Sequence, residues 1–138
     1  MAQVVSGTAE MIGGMDPVLY PDAFVFCTVT DADQAALALP VALASFREDE
    51  GLSLLLTVEQ ARRLGLPQDG PMRRITLNVY SSLGGVGLTA AVSAALTARG
   101  IACNMIAATL HDHVFVPVDQ ADAALAALRA LQASVRGA

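Results

Sequence analysis

From Ile75 to Tyr80 apolar and polar side chains alternate, so Ile75, Leu77 and Val79 share one face of a predicted strand. The period then changes. Leu88, Ala91, Val92, Ala95 and Leu96 keep the spacing of a helical stripe, and Gly100 is the expected left-handed end of that helix. Between the two elements, "SSLGGVG" crowds Gly84, Gly85 and Gly87 onto the helix start. Residues Ile101 to Leu110 and Val114 to Val118 predict two strands joined by a tight turn around His111 and Asp112. Val114, Val116 and Val118 share a face, and Pro117 argues against a central position in a sheet. Asp119 is a suitable N-cap for a closing helix whose buried stripe is Ala121, Leu125, Leu128 and Leu131, with Asp122 placed to favour the helix dipole. The order strand, helix, strand, strand, helix leaves this sheet one strand short.

The first half is less regular. "PVLYPDAFVFCTV" predicts a short extended piece, a Pro-Asp turn and a strand from Phe24 to Val29. "VALASFREDEGLSLLLTV" predicts a hairpin turning on Asp49, Glu50 and Gly51, and Thr57 to Gln60 opens a short helix ending near Gly65. The turn-rich "LPQDGP" divides the chain into an expected N-terminal unit, 1–70, and a C-terminal unit, 71–138. A faint internal repeat, "VFCTVTDADQAALAL" against "VFVPVDQADAALAAL", suits two small strand-and-helix units.

Composition narrows the function classes. The net charge of −5 and the absence of any basic run longer than Arg62-Arg63 or Arg73-Arg74 exclude a nucleic-acid footprint. No apolar run reaches the roughly 18 residues of a membrane span, and no leader pattern is visible, so no membrane partner is expected. Cys27 and Cys103 sit in apolar runs without metal or redox spacing and read as buried free thiols suited to a reducing cytoplasm.

The stretch "RITLNVYSSLGGVGLTAAVSAALTARGIACNMIAATLHDHVFVPV" resembles an ACT domain, and "PDAFVFCTV" with "FREDEGLSLLL" resembles the first half of small tandem ACT proteins, of the CASTOR-type group akin to amino-acid sensors and to the ACT modules of aspartate kinase. The resemblance runs from about Pro17 to Leu131. It implies an α+β chain of two ferredoxin-like subdomains, each an antiparallel sheet with helices on one face. Such units bind an amino acid or similar small molecule at the interface between units. The resemblance places the ligand at the loop from Ser82 to Gly87 and at Asn104 on the following strand, although Leu83-Gly84-Gly85-Val86-Gly87 replaces the acidic, Pro-Gly style helix opening of the family. A segment near Asp16 to Tyr20, or a partner subunit, is expected to supply the missing strand.

Residue chemistry gives the same candidates. The first turn of a helix presents unpaired N–H groups, and glycines remove the Cβ that would block an anion, so Ser81, Ser82, Leu83, Gly84, Gly85, Val86 and Gly87 are candidate ligand-binding residues; the alternative is that the glycines serve only packing or a positive φ. Asn104 is either a satisfied sheet residue or a ligand contact. Asp112 either caps its own turn or accepts a ligand's cationic group, and His111 and His113 lack the further ligands of a zinc site. No catalytic motif, metal site or cofactor is expected. The reading is a non-enzymatic amino-acid-binding regulator, a homodimer or higher homo-oligomer; the alternative is a ligand-free oligomerisation module, and an enzyme built on the His111 to His113 turn is the weakest.

Overall fold

In the computed structural model, residues 3–136 are described. The elements are α1 (Thr8–Gly13), β1 (Val18–Val29), α2 (Ala32–Ala38) with a 3-10 turn at Leu39–Val41, β2 (Ala44–Glu48), β3 (Gly51–Thr57), α3 (Val58–Arg63), β4 (Met72–Leu77), α4 (Leu88–Thr97), β5 (Asn104–Ala107), β6 (Asp112–Pro117), a 3-10 turn at Val118–Gln120, and α5 (Ala121–Arg136). They form two compact units, one combining the chain up to Pro21 with the chain from Arg73 onward, the other spanning Asp22–Met72.

In the 22–72 unit, β2 and β1 flank β3, both antiparallel to it. The β2–β3 hairpin turns at Asp49 and Glu50, Glu48 facing Gly51. β1 runs without a break through Pro21 and Asp22, where a turn was expected. Proline's fixed φ lies within the extended range, so Pro21 costs the strand one donor and not its direction. Val25, Cys27, Val29, Leu54 and Leu56 form the apolar core with Ala38, Ala61 and Leu66. Two caps fix the helix starts: Asp31 accepts from the Gln34 amide at 2.8 Å, and Thr57 and Gln60 cap each other reciprocally.

In the other unit the hydrogen-bonded strand order is β1, β4, β6, β5, so β1 takes the place beside β4 that the sequence left unfilled. Ile75, Leu77 and Val79 point into one core, as their alternation requires, with Val114 and Val116 of β6. α4 buries Leu88, Val92 and Leu96 there, and Gly100 ends the segment at φ 68°. Val118 does not share the valine face: it is 41% exposed in the 3-10 turn after Pro117. Asp119 lies inside that turn and not at an N-cap, because the turn runs directly into α5, whose first turn carries Asp122. α5 buries Ala121, Ala124, Ala127 and Leu128, while Leu125 and Leu131 are only partly buried, since the alanines permit a closer approach along their side.

α1 was not foreseen, and it completes this core. Met11, Ile12 and Met15 are buried against α4 and α5. Gln132 of α5 is buried and donates to the Gly13 carbonyl at 2.8 Å and to Asp16 Oδ1 at 2.7 Å, closing the end of α1 onto α5. Leu96 is fully buried, so Leu96→Ala is expected to lower unfolding stability by about 2–5 kcal/mol, read from the urea midpoint.

Candidate functional site

The loop from Asn78 to Gly87 is held from both sides by the N-terminal segment. At the end of β4 the Asn78 amide donates to the Met15 carbonyl at 2.6 Å, which turns the chain out of the sheet. Val5 then makes a parallel bridge to Ser81, donating to the Tyr80 carbonyl and accepting from the Ser82 amide, each at 2.8 Å. A tight turn follows, with the Gly85 amide on the Ser82 carbonyl at 2.9 Å and the Gly84 amide on Ser82 Oγ at 3.1 Å. The Thr8 hydroxyl donates to the Val86 carbonyl.

The glycines explain how α1 comes so close. A Cβ on Gly85 would stand 2.8 Å from Met11 Sδ, and one on Gly87 would stand 2.7 Å from a Thr8 methyl. Gly87 also has φ 108° and is the N-cap of α4, with no side chain capping it. The approach these residues permit is thus used by the chain's own helix.

Beside this packing a cavity of about 510 Å³ remains open, within the usual range for small-molecule pockets. Ser81, Ser82, Leu83, Gly85, Val86, Gly87 and Asp112 line it, together with Met11, Leu88, Thr89, Ala90 and Ala107. Gly84 belongs to the loop without lining the cavity, and Asn104 lies on β5, its amide donating to the Phe115 carbonyl at 3.3 Å. Met11 and Ala107 had no sequence signal, because only the tertiary fold brings them to the loop.

The expected turn at His111 and Asp112 lies earlier in the chain. The Ala108 amide donates to the His111 carbonyl at 3.1 Å, and Asp112 is the first residue of β6. Asp112 is 9% exposed, and its carboxylate accepts from the Ser81 hydroxyl at 3.0 Å, a partner outside its own turn. The two histidines diverge. His111 packs its ring on Tyr80 at 4.8 Å between centroids, while His113 Nδ1 meets the Thr76 hydroxyl at 2.9 Å. Among the described residues no group of three or more His, Cys, Asp or Glu comes together that could hold a metal. Cys27 is buried and Cys103 half-buried; both thiols are free, and burial raises their pKa, which disfavours the reactive thiolate.

Chemically the cavity has two poles. The first amides of α4 lack intrahelical acceptors and carry the positive end of the helix dipole, which suits an anion. Asp112 supplies a buried negative charge, and the hydroxyls of Ser81, Ser82 and Thr89 lie between apolar walls.

Two ACT-domain family models match the chain, one over residues 8–73 and one over residues 71–130. The chain is a tandem ACT-domain protein. Its α+β fold is ferredoxin-like, and the first ACT match begins at α1, the helix that packs on the loop of the second. This ACT protein is similar to a solved protein of unknown function from Vibrio cholerae at 40% identity, with a TM-score of 0.78, covering 90% of this chain and 94% of that one. It is similar in fold to a protein from Agrobacterium tumefaciens at 16% identity, TM-score 0.66, covering 84% and 87% of the two chains. The ligand-free regulatory subunit of aspartate kinase from Thermus thermophilus shares the fold at 12% identity, TM-score 0.58, covering 83% and 95%. No curated protein sequence matches. No helix among the described residues is long and apolar enough to cross a membrane.

Two expectations follow from this geometry. Gly87→Ala must adopt a φ forbidden to it and push against Thr8, so it is expected to cost about 1–3 kcal/mol, more than Gly100→Ala, whose Cβ meets open space; chemical denaturation of both variants compares them. His113 has its pKa lowered by burial, then by the charges of Arg74 and His111, with Asp112 opposing. The unfolded chain therefore binds the proton more readily than the folded one. Stability contributed by neutral His113 is full above about pH 6.5 and declines as pH falls from there to the lower folded value, below which it levels off. Melting temperatures between pH 5 and 8 are expected to show that decline, and His113→Asn to flatten it.

Proposed function

We propose that this ACT protein is a regulator that binds an amino acid in the cavity beside the Ser81–Gly87 loop. The observation that carries the reading is one cavity holding both the uncapped start of α4 and the buried Asp112 carboxylate. An amino acid zwitterion matches both: its carboxylate takes the amides of the first helical turn and the Ser82 hydroxyl, and its ammonium takes Asp112, already oriented by Ser81. The ACT family supports a regulatory role for small-molecule binding, and the likeness to aspartate kinase regulatory subunits is of the same kind. The role is non-catalytic. The grouping with amino-acid sensors, the assembly into homodimers or larger oligomers, a seam at which a second copy covers the ligand, and a cytoplasmic location suited to two free thiols are parts of the same proposal.

A ligand that binds only the folded chain raises its stability, by about 2.7 kcal/mol at a hundred times its dissociation constant. Thermal-shift and calorimetric titration against the standard amino acids are expected to give a saturable response for at least one. Asp112→Asn should weaken that binding about tenfold to a hundredfold, the worth of a charge-assisted hydrogen bond. If every amino acid leaves the melting temperature unchanged while dilution lowers it, the chain is a ligand-free assembly module instead. A specific feature favours that second reading: Leu37, Leu39, Val41, Leu43 and Phe46 are all exposed in the 22–72 unit, Phe46 on the outer strand β2.

A further inference from the structure

We infer that the cavity selects a neutral amino acid with an aliphatic side chain, an assignment that rests on the amino-acid reading above. Among the described residues that line the cavity, Asp112 alone is ionisable. A second carboxylate on the ligand would therefore meet no cation on the wall and would gain nothing where an aliphatic group gains apolar contact. The arginines nearest in sequence do not line the cavity: Arg73 donates through Nε to the Tyr20 carbonyl at 3.0 Å, and the Arg74 guanidinium stacks 4.1 Å from the centre of the Tyr20 ring, its buried Nε without a hydrogen-bond partner. Arg99 lies beyond the last turn of α4, at the end away from the cavity.

A second cation on the ligand fares no better. The single carboxylate already accepts from the Ser81 hydroxyl and is claimed by the ligand's α-ammonium, so a lysine or arginine head would have no anion left to meet. Apart from the Thr89 hydroxyl, what remains of the wall is mostly apolar: Met11, Leu83, Val86, Leu88, Ala90 and Ala107. Leu83 and Val86 are 72% and 77% exposed at that wall, large apolar side chains with little of the protein covering them. A ligand's aliphatic chain lying on them removes that surface from water together with its own. The cavity, at about 510 Å³, has room for such a chain beyond the zwitterion.

Calorimetric titration of the full chain at pH 7 with glycine, alanine, 2-aminobutyrate, norvaline and norleucine, and with glutamate and lysine, tests this. Affinity is expected to rise about three- to fourfold per methylene, with glutamate and lysine each about tenfold or more weaker than norleucine. Val86→Asp changes an exposed residue, so the fold is retained; it should weaken norleucine about tenfold and move the preference toward lysine. Glutamate or lysine binding as tightly as norleucine, a flat response along the series, or an unchanged lysine-to-norleucine ratio in Val86→Asp overturns the inference while leaving an amino-acid site in place. Binding by no amino acid at all overturns the amino-acid reading and this inference with it.

Discussion

The contact between α1 and two glycines holds the site together. Thr8 and Met11 occupy the space where Gly87 and Gly85 would carry a Cβ, and the Thr8 hydroxyl ties down the Val86 carbonyl between them. Each interaction is small: Met11 is anchored in the buried core, while Thr8 is exposed and reaches the loop from the core's edge. The loop is consequently fixed at both its ends, by Val5 at Ser81 and Ser82 and by α1 at Gly85 to Gly87. Glycine here is required by the neighbour that approaches, and the cavity lies alongside that approach.

From that constraint the electrostatic arrangement follows. Gly87 has no side chain to cap α4, so the helix's first amides keep their polarity for whatever enters. Asp112 is aimed by a hydroxyl from the same loop, so the two opposite poles of the cavity share one support. Burial of a carboxylate with a single hydroxyl donor leaves acceptor capacity that a cationic group can use.

What could be read in the sequence was what local chemistry determines. β4, α4 and the β2–β3 hairpin follow from side-chain periodicity and turn residues, and the Thr57–Gln60 cap and the left-handed Gly100 follow from residue type alone. Asp112 was misplaced because aspartate is the strongest turn former in its neighbourhood, whereas its real partner, Ser81, is 31 residues away. Pro21 was read as a break for the same local reason. α1 went unseen: six residues are too few to display a helical stripe, and its purpose is a contact with glycines more than seventy positions later. The loop residues were visible as candidates, while Met11 and Ala107, which close the cavity around them, carry no chemistry that marks them in isolation.

Gln132 gives α5 leverage over all of this. Its amide grips the Gly13 carbonyl at the exit of α1, and Met11, two residues upstream, lines the cavity. Unwinding the final turns of α5 would remove that hydrogen bond and the support it gives to the end of α1. One side-chain amide thus joins the C-terminal helix to the segment whose Met11 lines the cavity.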